Sequence, residues 1–134
     1  MGRKILAVVV ALIVATGVIM ITEMLNSMVV APPTADVMND PAKLREFIRT
    51  VPVTAYVVIL IGYVLGAFAG GFIVTKMSRR ESPGIILPIL IGAILELGAI
   101  LLFFAVMPGQ PIWFIAASLV VMIPMSLLGH RFAR

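Results

Sequence analysis

Two acidic residues stand alone in long apolar stretches, and they are the residues of this chain best placed to do chemistry. Glu23 is the only ionisable residue between positions 5 and 31, and Glu96 is the only one between positions 85 and 107. A carboxyl group in such surroundings can relay a proton or a cation, or bind a ligand or a lipid headgroup. It can equally be a neutral acid that hydrogen bonds to a neighbouring helix. The sequence leaves these alternatives open.

The surroundings of the two acids differ. Glu96 is at the middle of its stretch, and no lysine, arginine or histidine lies deep in any of the apolar stretches. Because an ionised carboxylate at the centre of a bilayer costs about 2.5 to 3.5 kcal/mol, we expect Glu96 to be protonated. Glu23 is nearer to the end of its stretch, where Asn26, Ser27 and water can reach it. The candidate polar site consists of Glu96, Glu23, Asn26, Ser27 and Thr16.

Other chemistries have little support in the sequence. The chain has no cysteine and one histidine, His130, which excludes thiolate chemistry and a histidine metal cluster. Met20, Met24 and Met28 offer thioethers that suit Cu(I), but methionine is also an ordinary packing residue. There is no nucleophile paired with a base and no phosphate-binding loop. We therefore expect no enzymatic activity, no cofactor and no metal.

Four apolar stretches must position these residues. Of the 134 residues, 62% are hydrophobic and 12% are charged, whereas about 25% are charged in soluble domains. Each stretch is 18 residues or longer, and about 20 helical residues cross a hydrocarbon core of about 30 Å. Helix is required because lipid cannot satisfy open backbone groups. We predict an all-α integral membrane four-helix bundle, one domain over residues 1–134, with spans at residues 5–31, 53–75, 85–107 and 112–129.

Basic residues set the expected orientation. They flank the spans on the side that carries both chain ends, at Arg3, Lys4, Lys76, Arg79, Arg80, Arg131 and Arg134. Cytoplasmic flanks carry an excess of lysine and arginine. We therefore predict a multi-pass protein of the inner (plasma) membrane with both termini cytoplasmic. Membrane lipids account for the basic charge, and no nucleic acid is expected.

The connection between the first two spans predicts a short helix. Asn39-Asp40-Pro41 is typical of a helix start, with Asp40 as the cap and Pro41 in the first position. Apolar residues share one side of this helix, namely Leu44, Phe47, Ile48 and Val51. We expect an amphipathic segment over about residues 40–51 that lies on the membrane surface, most simply as a lid over the bundle with no ligand.

Small residues predict which helix faces meet. Gly62, Gly66 and Gly70 recur every four residues in the second span, with Ala69 on the same side, in the pattern of a glycine zipper. Gly92 has a similar place in the third span. Small residues let helix backbones approach closely, so that van der Waals contact supplies the association energy within lipid.

Three further expectations concern the first, third and fourth spans and the turn between the last two. The side of the first span that we expect to face protein carries Thr16, Gly17, Met20, Glu23, Met24 and Ser27. Pro88 and Pro124 each remove a backbone donor inside a predicted span, so kinks are expected there. Residues 108–111 predict a tight turn, and Trp113 after it suits an interfacial anchor.

With these motifs in hand, the chain resembles small bacterial four-span inner-membrane proteins. The resemblance is carried by Glu23-Met24-Leu25-Asn26, by Pro32-Pro33 and by the run from Leu65 to Phe72. It implies the fold and the membrane but no activity. Small multidrug transporters also have four spans and an acid in the first helix. The chain departs from them in the position of Glu23, in its long first outer loop and in the second acid at position 96.

Two classes of function follow from these observations. The first is a non-enzymatic packing or accessory protein that assembles with itself or with a larger membrane complex. The second is a small proton- or cation-coupled transporter or channel that uses Glu96 and Glu23. The first is the simpler expectation.

Overall fold

The computed structural model describes residues 2–28, 30–31, 33–78, 84–106 and 110–134. Most of these residues are helical, and they include no strand. Four of the helices are long and apolar enough to cross a membrane, as predicted. The helices are α1 (Gly2–Ser27), α2 (Ala35–Asn39), α3 (Pro41–Thr50), α4 (Val53–Ser78), α5 (Ile86–Leu101), which continues as a π-helical turn over Leu102–Val106, and α6 (Ile112–Ala133).

Helix α4 is the centre of the bundle. It packs along α1 on one side and along α6 on the other, while α5 contacts α6 and α4. Arg3 Nε donates a hydrogen bond to the Met77 carbonyl at 3.0 Å, so the start of α1 lies beside the end of α4. Helices α1 and α5 barely touch. The bundle therefore has a gap between α1 and α5.

The α1–α4 contact is made by small residues. Ala7, Ala11 and Ala15 are fully buried, because their spacing of four residues places them on one stripe of α1 that faces the glycines of α4. The prediction that the side with Met20 and Met24 faces protein is wrong, since these side chains are 57% and 67% exposed. Close approach of two backbones gives more contact than a methionine stripe would.

The α4–α6 contact is closer still. A Cβ added to Gly71 would overlap the Ser126 carbonyl oxygen, and one added to Gly129 would overlap the carbonyl oxygen of Phe68. One turn farther along, Thr75 Oγ1 and His130 Nδ1 lie 2.9 Å apart in a buried hydrogen bond. The polar groups of this pair thus satisfy each other at the end of the bundle that carries both termini.

Helix α3 begins where the sequence predicts it. Pro41 is its first residue, and the Asp40 carboxylate accepts hydrogen bonds from the backbone amides of Ala42 at 3.0 Å and Lys43 at 3.4 Å. Leu44 and Ile48 are 4% and 5% exposed. The apolar side of α3 therefore packs against the bundle, which is the lid arrangement. The short helix α2 before it was not predicted.

The prolines take two different places. Helix α5 begins at Ile86, so Pro88 lies in its first turn, where a missing N–H costs nothing because it has no partner there in any case. The kink predicted at Pro88 is therefore not required. Pro124 is inside α6, as expected. Arg79, Arg80, Pro32 and the first two residues of the turn predicted at 108–111 lie outside the described residues.

Candidate functional site

A cavity lies beneath helix α3, and we call it the capped cavity. Its volume is about 270 Å³. Phe47 and Ile48 of α3, with Val51 just after it, form the cap, and the Tyr56 hydroxyl donates a hydrogen bond to the Ile48 carbonyl at 3.4 Å. The cap is thus held by both apolar contact and a hydrogen bond from α4.

The walls of the capped cavity are mainly apolar but carry a few converging polar groups. The polar residues that line it are Glu23, Asn26, Ser27, Tyr56, Tyr63 and Gln110. Of the described residues that line the cavity, Glu23 alone is charged. Small-molecule sites typically combine a mostly apolar lining with a small number of placed polar groups.

Two polar oxygens of residues that line this cavity have no donor within the part of the chain that the structure describes. They are the buried Oδ1 atom of Asn26 and the buried Oε1 atom of Gln110. Most buried polar atoms in proteins are hydrogen bonded, and an unsatisfied one calls for an explanation. Both atoms have almost no accessible surface, so they lie behind the cavity wall and are not open to the cavity.

A second depression, which we call the lateral groove, follows the gap between α1 and α5. Its volume is about 350 Å³, and its walls include Thr16 and Ile19 of α1 and Ile94 and Gly98 of α5. A Cβ added to Gly98 would meet no atom within 4 Å, so the glycine keeps the groove wide. The groove is open at the side of the bundle.

The capped cavity and the lateral groove meet at three shared residues. Glu23, Tyr63 and Leu102 line both. Glu23 remains an exposed side chain in the folded chain, because space lies on two sides of it. Glu23 therefore lies between the capped cavity and the lateral groove.

The structure separates the two acids. Glu96 is half-buried on α5 and lines neither the capped cavity nor the lateral groove. On the helical wheel Gly98 lies toward the groove, and Glu96 lies on the other flank of α5, the flank of Gly92, which packs against Ile123 of α6. Of the candidate polar site, Glu23, Asn26 and Ser27 come together at the cavity, Thr16 lies in the groove, and Glu96 stands apart.

The aromatic residues of the site were not predicted from the sequence. Tyr56 and Tyr63 line the cavity together with Phe114, and the ring centroids of the two tyrosines lie 5.0 and 6.1 Å from that of Phe114. Trp113 extends this cluster, at 6.1 Å from Tyr56. The available signal was that Tyr63 follows Gly62 directly, on a helix whose small residues mark the buried side.

The glycines predicted to pack helices together contact other helices of the same chain. A Cβ at Gly62 would come within 2.7 Å of Thr22, one at Gly66 within 2.8 Å of Ile19, and one at Gly70 within 2.8 Å of Ile91. Ala69 beside them is half-buried. These glycines therefore face α1 and α5 of the same chain.

Comparisons with known proteins give no relative from which a role could be transferred. No family model, curated protein or solved structure matches the chain. The argument for function therefore depends on the geometry of the capped cavity and the lateral groove.

Proposed function

We propose that the protein is a non-enzymatic, multi-pass protein of the inner membrane, with both termini cytoplasmic, that binds a small ligand in the capped cavity through Glu23. The orientation is supported by the basic residues near both chain ends, of which Arg3 lies beside the end of α4. In this orientation α3 and the capped cavity are on the outer side of the membrane.

One observation carries the binding proposal. Glu23, which carries a carboxyl group, lines both the capped cavity and the lateral groove, and the walls of both spaces are mainly apolar. A purely structural Glu23 would be expected to hydrogen bond to a neighbouring helix and to stand in packed surroundings. Its position between two open spaces favours a ligand instead.

The other functions expected from the sequence have less support than ligand binding. A relay through both acids is not favoured, because Glu96 lies on the other flank of α5 from the groove. Self-assembly through the glycines of α4 is not favoured either, because these residues pack within the chain. An accessory role in a larger membrane complex, and transport coupled to a proton or a cation, stay predictions.

Native mass spectrometry of protein extracted with its surrounding lipid tests the proposal. We expect a small-molecule adduct on the wild-type protein that Glu23→Gln loses. Glu96→Gln is the matched control, since it makes the same chemical change at an acid outside the site, and it should keep the adduct. Loss of the adduct from both variants alike, or no adduct at all, would contradict the proposal.

Reporter fusions test the orientation. We expect a fluorescent protein that folds only in the cytoplasm to be active at either end of the chain. Alkaline phosphatase, which needs the outer side, should be active only when it is inserted in the connection before α3. Activity of the phosphatase at the C-terminus would contradict this topology.

A further inference from the structure

The ligand class can be narrowed from the groups that surround Glu23, and this step rests on the proposed function. We propose that the ligand is an amphiphile with an N–H-bearing ammonium head, which binds in the capped cavity, and a single apolar tail, which lies in the lateral groove. Because Glu23 lines both spaces, a ligand held by its carboxylate can place its head in the cavity and its tail in the groove.

The charge and the hydrogen-bonding groups define the head. Among the described residues that line the two spaces, Glu23 is the only charged side chain, so a cationic head is favoured. An ionised carboxylate accepts hydrogen bonds and donates none, so a head that donates N–H groups to it is favoured further. A primary ammonium group supplies the positive charge and three N–H donors in one group. An anionic or purely apolar ligand would leave the Glu23 carboxylate unpaired.

The aromatic rings of the cavity wall suit an organic cation, with or without N–H groups. The ring centroids of Tyr56 and Tyr63 lie 5.0 and 6.1 Å from that of Phe114, and faces of aromatic rings attract organic cations. An inorganic divalent cation is a poorer fit, because it needs several oxygen ligands around it and most of the walls are apolar.

The lateral groove defines the tail. Among the residues that line it are Leu12, Ile19, Ile94 and Leu95, together with Gly98, which adds no side chain. In a membrane the groove faces lipid, and moving a tail from lipid to the groove gains little energy because both are apolar. The tail therefore serves to bring the ligand to the site through the membrane, and selectivity comes from the head.

A binding titration on the full chain in lipid nanodiscs tests this inference. Trp113 is the only tryptophan of the chain and its ring centroid lies 6.0 Å from that of Phe114 in the cavity wall, so its fluorescence reports on the site. The probes are dodecylammonium and dodecyltrimethylammonium, which share tail and charge but differ in N–H donors. Nanodiscs without protein correct for partition into lipid.

We expect saturable binding of dodecylammonium to the wild type and to Glu96→Gln. Binding should weaken by about tenfold or more with the trimethyl analogue, and by about tenfold or more in Glu23→Gln, since each change removes charge-assisted hydrogen bonds. The comparison of the two probes uses the wild type alone, so it holds even where Glu23→Gln folds poorly. Equal affinity for both probes would overturn the inference.

The outcome also separates this inference from the proposed function. If dodecylammonium does not bind but the native adduct is still lost in Glu23→Gln, the ligand class is wrong and the site stands. If the amine does not bind and no Glu23-dependent adduct exists, both are wrong.

Discussion

The contact between α4 and α6 predicts that Gly71 tolerates no side chain. In Gly71→Ala the new Cβ would lie 2.8 Å from Ser126 Cα and would overlap the carbonyl oxygen of the same residue. Ordinary contacts begin near 3.4 Å, so the helices must separate by well over half an ångström. The obstacle is backbone, which cannot rotate away as a side chain can.

The magnitude follows from this separation. Overpacking costs about 1 to 3 kcal/mol, and a gap of 0.5 to 1 Å loses about a quarter to a half of the dispersion energy of each contact. The separation also stretches the Thr75–His130 hydrogen bond one turn away. We therefore expect Gly71→Ala to lower the free energy of unfolding by about 3 kcal/mol, the upper end of this range.

Unfolding in mixed micelles with increasing SDS, followed by Trp113 fluorescence and circular dichroism, measures the effect. Gly17→Ala is the matched control, because a Cβ there would meet nothing within 4 Å, and it should be neutral or slightly stabilising. Gly66→Ala should fall between the two, since its nearest obstacle is the movable Ile19 side chain. If Gly71→Ala were as stable as Gly17→Ala, the close packing of α4 on α6 would be refuted.

Three further changes test other parts of the structure. Asp40→Ala removes the cap of α3 and should destabilise that helix by about 1 kcal/mol, seen as faster hydrogen exchange of its first amides; unchanged exchange would argue against the cap. Thr75→Val leaves His130 without its partner and should lower the free energy of unfolding by about 1 to 3 kcal/mol in mixed micelles, whereas a neutral effect would mean that the pair is not formed. Glu96→Gln should assemble and unfold as the wild type does in size-exclusion chromatography and the same micelles, because an amide keeps the hydrogen bonding of a protonated acid; aggregation would mean that Glu96 is needed for packing.

Much of the architecture could be predicted because its causes are local. The four long helices follow from the length and apolarity of each stretch. The start of α3 follows from Asp40 and Pro41, whose capping geometry needs only neighbouring amides. Both features depend on residues that are close in sequence.

The face of α1 could not be read from polarity, and the reason is physical. Thr22 and Ser27 donate to the carbonyls of Val18 and Met24 in their own helix, so hydroxyl groups do not have to face another helix. The contact is made instead by the small residues Ala7, Ala11 and Ala15. They have the same spacing of four residues as the glycines of α4. In lipid, close approach outweighs polarity as a guide to packing.

The candidate site was predicted only in part. Glu23, Asn26 and Ser27 are neighbours on one helix, so their grouping was visible in the sequence. Tyr63 and Gln110 reach the same cavity from other parts of the chain, and that depends on how α4 packs along α1 and α6. Glu96 was predicted as a site residue because it is deep in its span. Depth in a span does not determine whether open space lies beside a residue.

Photoaffinity labelling tests the central claim, that Glu23 holds a ligand whose tail lies between α1 and α5, most directly. A long-chain amine with a photoreactive group in its tail would be cross-linked to the protein in nanodiscs and the labelled peptides sequenced. We predict labels within residues 12–19 and 94–102, and their loss in Glu23→Gln but not in Glu96→Gln. Labels spread over the exposed side of α6, at Val120 and Phe132, with no dependence on Glu23, would contradict the account.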